Sequence, residues 1–568
     1  MFEPIFSPLK YYLNTAKNTH SAHTREYLRL LSNEATLDRT ANAQTVANLH
    51  GKEARIQKLQ QGVTKKKVAR TLIIIGICLA FLVFAVFCFN STIGEVEKCI
   101  ALLGGLGALI FGIVFTCKKI NAKIRALDSQ IAELQQAANT LRREAWQQAA
   151  PLNNLFKDDT SLQLFTKTLP FITFDKCFTH TRLNELSENY GFPSGLNGEE
   201  CALDTLSGEL YGSPFVYVQK LCHHLGTRTY SGSITISWTT TERDSQGKMV
   251  TRHHTQVLTA TIVRPAPFYH TDTALYFGNE AVPNVNFSRT YAHMEDKSEA
   301  AVARAVRKGE KKIKKLEEEA LKTGDDFQGV TNTEFDVIFG ATNRTDDLEF
   351  LQMFTPRAQE SMLELLLYKE GYGDDFSFVK NGNLCIIRSE HAQGKPLFPT
   401  AESYYSYEIA VAENAFIQQN ENFFSSVYFD FAPLLLIPVY QQPLVRSESI
   451  AEGNLTTYNH EAFAWRLSQQ LHPDGAKTET IFKTTLQGRS SGVDTVQVCA
   501  YSYKTVERVH YENMYGRDGR WHMVPVYWTE YIPISKTSTI QVSKEKSGGH
   551  PNGGVTYRGY HAYMAQGK

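Results

Sequence analysis

Two runs of apolar residues stand apart from the rest of the chain. Thr71 to Phe89, TLIIIGICLAFLVFAVFCF, and Cys99 to Cys117, CIALLGGLGALIFGIVFTC, contain no charged residue. Each is about as long as a helix must be to cross ~30 Å of hydrocarbon. Only NSTIGEVEK separates them, which predicts a tight transmembrane hairpin. After the second run, Ile120, Ile124, Leu127, Ile131, Leu134, Ala138, Leu141 and Ala145 recur at spacings of four and three, a heptad seam ended by Pro151. Before the first run, Val46, Leu49, Ile56 and Val63 follow the same repeat, with Glu53 and Gln60 at two seam positions. The expectation is an antiparallel coiled-coil stalk that continues the hairpin by roughly 40 Å, at ~1.5 Å per residue.

Beyond Leu152 the pattern changes to short apolar runs, turns and aromatic-rich alternation. Ser233 to Val263 reads as two strands around Asp244-Ser245-Gln246-Gly247, with Ile234, Ile236 and Trp238 on one face and threonines on the other. Residues 294–323 read as a charged helix. Between Thr331 and Pro399 the pattern predicts a strand or turn (TEFDVIFGATN), then a helix capped by Thr355 with Pro356 in its first turn. A strand pair turning at Asn381-Gly382 follows. YYSYEIAVAENAFIQQ and FAPLLLIPVYQQ read as strand or short helix. Asp494 to Val542 is strand-rich, with a turn at Arg517 to Arg520, and the glycine-rich end reads as a mobile tail.

The fold class is therefore α+β: a two-helix transmembrane hairpin continued by a coiled-coil stalk, with a mixed antiparallel-sheet and helix cytoplasmic body. In chain order the segments are a cytoplasmic helical region (1–70), the hairpin (71–117, spans 71–89 and 99–117) and the stalk helix (118–150). A strand-rich domain (151–293), the charged helix (294–323), an α+β domain (324–445), a strand-rich C-terminal region (446–545) and a flexible tail (546–568) complete it.

Charge sets the orientation. Lys65, Lys66, Lys67 and Arg70 precede the first span and Lys118, Lys119, Lys123 and Arg125 follow the second, whereas the loop sets Lys98 against Glu95 and Glu97. Basic flanks stay on the cytoplasmic side, so a multi-pass protein of the cell membrane with both termini cytoplasmic is expected. The first run begins too deep in the chain for a cleaved signal peptide. Gly104, Ala108 and Gly112, with Gly76 and Ala80, allow the spans to approach closely. Neither span holds an ionisable group other than cysteine, so the hairpin reads as an anchor rather than a transport path. The 59 basic and 59 acidic residues balance, and no nucleic-acid partner is expected. Nine cysteines without paired spacing read as reduced thiols.

Candidate chemistry is sparse. GYGDDF, Gly371 to Phe376, shares its Tyr-Gly-Asp-Asp run with polymerase catalytic turns, where adjacent carboxylates hold two Mg²⁺ ions. In those enzymes the acidic pair tips a hairpin; here a helix ends just before it, and Asp374 and Asp375 read as turn residues. Cys222, His223, His224, His253 and His254 are the candidate metal ligands, although neither group has a second pair at a metal-finger spacing. The motifs of phosphate loops, nucleophile elbows and zinc proteases are missing. No catalytic residue and no cofactor is assigned.

At Asn332 to Leu366, NTEFDVIFGATNRTDDLEFLQMFTPRAQESMLELL, the chain resembles bacterial two-span membrane-anchored proteins that carry a cytoplasmic domain of unknown function. In that pattern an F-x-x-x-F strand leads into a TP-x-x-x-x-x-x-L helix, and Phe335, Phe339, Thr355, Pro356 and Leu363 fit it. Glu299 to Lys322 and the strand-rich C-terminal part lie outside the pattern. The resemblance implies the anchored α+β architecture and brings no catalytic residues. The expected function is a membrane-anchored scaffold or protein-interaction protein, held in the lipid bilayer by two spans, homo-oligomeric, with a protein partner. The alternatives are a membrane-tethered enzyme of hydrolase type and an auxiliary subunit of a transport or secretion complex.

Overall fold

The computed structural model describes residues 4–90, 94–243, 245, 247–324, 327–443, 453–544 and 554–565. Asp244 and Gln246 of the predicted turn, the loop residues Ser91, Thr92 and Ile93, and residues 545–553 and 566–568 of the predicted tail lie outside them. The chain forms two compact units, neither continuous in sequence: Thr24–Lys157 with Thr400–Gln419, and Met1–His23 with Asp158–Pro399 and Asn420–Lys568.

The helical unit is built on α1 (Arg39–Asn90), of 52 residues, and α2 (Glu95–Asn153), of 59 residues. At ~1.5 Å per residue these are roughly 80–90 Å long. Each contains a stretch long and apolar enough to cross a membrane. Outside those stretches, Leu49, Ile56 and Val63 of α1 pack with Ile124, Ile131 and Ala138 of α2, and Leu59, Ile120, Leu127, Leu134 and Leu141 fill the seam. A spacing of seven is two helical turns, so each series returns to one face. Glu53, at a seam position, meets Arg142 at 2.5 Å instead of burying. Helix α2 runs through Pro151 to Asn153 rather than stopping before it, because a missing N–H in the last turn removes only one hydrogen bond. The helices approach at Gly105 rather than Gly104. A Cβ at Gly105 would meet the Phe84 ring at 2.7 Å, whereas at Gly104 and Gly76 no atom of the described residues comes within 4 Å.

The other unit holds two antiparallel sheets. In the first, β1 (Ile172–Phe174), β2 (Glu200–Leu210), β3 (Ser213–Arg243), β4 (Met249–Gly278), β5 (Phe287–Arg289), β6 (Phe376–Asn381) and β7 (Leu384–Ser389) lie in the order β1-β2-β3-β4-β7-β6-β5. In the second, β8 (Ile481–Ser490), β9 (Val493–Tyr515), β10 (Trp521–Lys544), β11 (Val555–Tyr557) and β12 (Tyr560–Met564) lie in the order β11-β12-β10-β9-β8. The charged helix α3 (Glu299–Thr323) is followed by α4 (Thr333–Phe339), α5 (Asp347–Met353) and α6 (Pro356–Leu366), the last capped by Thr355 as its sequence predicts.

Four segments differ from expectation. TEFDVIFGATN contains a helix, not a strand: Phe335 and Phe339 share a face in either geometry, and the Asn332 side chain, which accepts the Phe335 N–H, together with Gly340 at φ 76°, selects the helix. The two rings stack 5.1 Å apart in a cluster with Phe287, Phe350 and Phe354. Ile409–Leu435 is one helix of 27 residues, where separate strands or short helices were expected. The β6–β7 turn is Gly382-Asn383, closed by the pair Asn381 and Leu384, because a two-residue loop places glycine (φ 55°) at its first central position. The described part of the glycine-rich end forms β11 and β12 on the edge of β10, where Tyr557, Tyr560 and Ala562 are buried.

Two hairpins outrun their sheets. Strand β3 pairs with β2 only as far as Cys222 but with β4 as far as Arg243, and β9 pairs with β8 only as far as Tyr501 but with β10 as far as Tyr515. A lone two-stranded ribbon is marginally stable in water. Here the two ribbons pack face to face: Ile236, Leu258, Ala260 and Ile262 against Val524 and Val526, with Trp238, Met514 and Trp528 at the margins. Ile234, Ile236 and Trp238 share the inner face as the alternation predicts. Gly232 permits the close approach, since a Cβ there would run into the Pro525 carbonyl oxygen.

Candidate functional site

The GYGDDF run lies between α6 and β6, with Gly371 at φ 85° and Tyr372 at φ 61°. Gly373 is required by space: a Cβ would stand 2.6 Å from the Tyr368 carbonyl oxygen and 2.8 Å from Glu295 Cβ. Successive residues entering a strand point to opposite faces, and this separates the two carboxylates. Asp374 is fully buried and pairs with the equally buried Arg289, and it also accepts the backbone N–H groups of Ala292 (3.0 Å) and Met294 (3.3 Å). The guanidinium of Arg289 lies over the rings of Phe376 and Phe339, at 4.5 and 5.3 Å. Asp375 turns the other way, to His391 Nδ1 at 2.5 Å. The adjacent carboxylates therefore converge on no common ion.

His391 is the centre of a buried polar group. Its Nε2 faces the Ser426 carbonyl oxygen at 3.1 Å and Asp430 Oδ1 at 3.4 Å. The Tyr217 hydroxyl donates to Asp430 Oδ2 at 3.0 Å, and Tyr372 meets the imidazole edge-on at 4.7 Å. Burial opposes a charge on His391, but the Asp430 carboxylate and the hydrogen bond to Asp375 outweigh it and hold its pKa above the ordinary value. Burial raises that of Asp430. The raised imidazole pKa favours an imidazolium, whose charge offsets in part the burial that raises Asp430.

Beside this group the backbone fixed by Asp374 carries a second cluster. Donor atoms of His293, Glu295 and Asp296 lie within 4.8 Å of one another. Among the described residues Glu295 Oε2 is buried without a hydrogen-bond partner, and burial raises the Glu295 pKa. One imidazole and two carboxylates are ligand types that Zn²⁺ or Mn²⁺ accepts, with water completing the shell. This cluster went unmarked in the sequence; the H-x-E-D spacing is its only signal there.

The residues singled out from sequence fall elsewhere. Cys222 and His223 lie on β3 opposite His270 and Tyr269, whereas His253 and His254 lie on β4 opposite Thr239 and Trp238. Thr239 is sixteen positions along β3 from His223, on the order of 50 Å at ~3.3 Å per residue. The two groups are thus not brought together. Burial pushes the Cys222 thiol up to about 11, so it is not a nucleophile at neutral pH. His223 pairs with Glu199, His224 stacks on Phe268 at 5.5 Å, and His254 stacks on Trp238 at 5.3 Å. Among the described residues His223 Nε2 is buried without a hydrogen-bond partner, and its Nδ1 is held by Glu199.

Comparison with protein-family profiles, curated proteins and solved structures gives no match.

Proposed function

We propose that the protein is a membrane-anchored scaffold, in which α1 and α2 cross the bilayer and the two-sheet unit binds a protein partner. One observation carries the reading: the apolar side chains of both helices lie open on the surface, with Val83 and Phe87 of α1 at 71% and 72% and Leu103 and Phe111 of α2 at 69% and 72% exposure. Apolar groups in such numbers belong in lipid rather than water. The flanking lysines and arginines support a cytoplasmic position for both termini. The buried seam beyond the apolar stretches supports a coiled-coil stalk.

Alkaline carbonate extraction of membranes from cells expressing the chain tests the anchor: the protein should stay in the membrane pellet, and its release to the supernatant would overturn the reading. Protease added to sealed, right-side-out cells tests the orientation. The two-sheet unit should survive until the membrane is permeabilised.

The second reading is a membrane-tethered hydrolase, favoured by the His293, Glu295 and Asp296 donor set. Zn²⁺ or Mn²⁺ co-purifying with the wild type and lost in His293→Ala, together with hydrolytic activity, would move the balance to it.

A further inference from the structure

The ribbon of β9 and β10 has one face packed on β3 and β4 and the other turned to solvent. On the outer face stand Val509, Tyr511 and Tyr515 of β9 and Trp521, Met523 and Tyr527 of β10, each between 42% and 69% exposed. Register makes them one surface: Tyr515 is opposite Trp521 with their rings 5.3 Å apart, Asn513 is opposite Met523, and Val509 is opposite Tyr527. Large apolar side chains clustered on one face, with only the polar Asn513 among them, are what a monomeric surface avoids and what the centre of an interface is made of.

We propose that this face is the contact between two copies of the chain, stacked across a two-fold axis that passes near Asn513. Area and charge both fit that occupant. The exposed parts of the six side chains come to about 700 Å², near the ~800 Å² per partner of a standard interface. The stripe itself is uncharged. At its inner end lies Glu507, hydrogen-bonded to Thr529, and beyond its outer end lie the exposed Arg517 and Arg520 of the turn. With the two-fold axis lying across the strands the ribbons are antiparallel, so the Glu507 end of one copy meets the arginine end of the other. A parallel arrangement would set like charges together. The inference goes beyond the anchored-scaffold reading and does not depend on it, since the surface exists whether or not the helices lie in lipid.

The test is the mass and self-association constant of the full-length protein in mild detergent, by light scattering over a dilution series. The wild type should be dimeric. The double variant Trp521→Ser with Tyr527→Ser, which removes only exposed side chains, should keep its melting temperature and dissociate on the order of 100-fold more readily. Glu507→Arg alone should weaken the dimer about tenfold, and Glu507→Arg combined with Arg517→Glu and Arg520→Glu should restore it. A monomeric wild type would overturn the proposal, whether or not the same face then binds vesicles or another protein. So would a dimer unaffected by the serine pair, which would place the contact elsewhere, on the helices for example.

Discussion

Arg289 and Asp374 are both closed to solvent, and a buried ion pair is far more damaging to break than to replace. Arg289→Met leaves a carboxylate stranded, so it should destabilise the two-sheet unit by about 3–5 kcal/mol in urea unfolding. Adding Asp374→Leu should recover most of that loss; failure to recover would mean that the backbone N–H groups of Ala292 and Met294 need the carboxylate more than the arginine does. His391 gives a pH signature. Its folded pKa lies above the unfolded 6.5, so its contribution is complete below that pH and is lost as pH rises through the folded value. The wild type should therefore lose stability over that window relative to His391→Gln, which should be weaker at pH 6 by about 1.5–3 kcal/mol, the worth of a hydrogen bond to a charged group. Parallel stability–pH curves for the two proteins would refute the charged-imidazole assignment. None of this is legible in the chain: Asp375 is 16 positions from His391 and Asp430 is farther still, and no local pattern joins them.

At the scale of elements, periodicity speaks clearly where only one geometry satisfies it. The alternation of Ile234, Ile236 and Trp238 fits a strand alone, and a strand is what forms. Phe335 and Phe339 fit a helix or a strand equally, so the outcome passed to a cap and a glycine. Tyr560, Ala562 and their neighbours sit in a composition that suggests disorder, yet the open edge of β10 supplies the pairing that a lone segment lacks. Gly232 shows the converse, a residue whose need appears only once β10 lies against it. Gly232→Val should force the ribbons apart at a loss of about 2 kcal/mol. Hydrogen exchange should then quicken in β3, β4, β9 and β10 beyond residues 222 and 501 and stay unchanged in β6 and β7.

For the whole molecule, chain order and spatial order part company. The segment Met1–His23 belongs with the sheets, and Thr400–Gln419 belongs with the helices. Tyr428 donates its hydroxyl proton to the Pro8 carbonyl at 2.7 Å, and Gln441 bonds both backbone groups of Ile5, contacts more than four hundred positions apart in sequence. Leu79→Arg together with Leu106→Arg should each oppose insertion by about 3 kcal/mol and shift the chain from the membrane pellet to the soluble or aggregated fraction on carbonate extraction. Unchanged membrane retention of the double variant would point to an attachment other than these helices.

What the sequence by itself determined is whatever depends on a continuous stretch: two helices apolar over a bilayer's length, the seven-residue seam beside them, the alternation of the long strands. Such properties follow from side-chain chemistry and the fixed geometry of helix and strand, with no knowledge of neighbours. Only the tertiary structure decided which carboxylate Arg289 neutralises, what surrounds His391, and which face of the β9–β10 ribbon is covered. Those outcomes depend on groups far apart along the chain, and desolvation and partner geometry exist only after it has closed on itself.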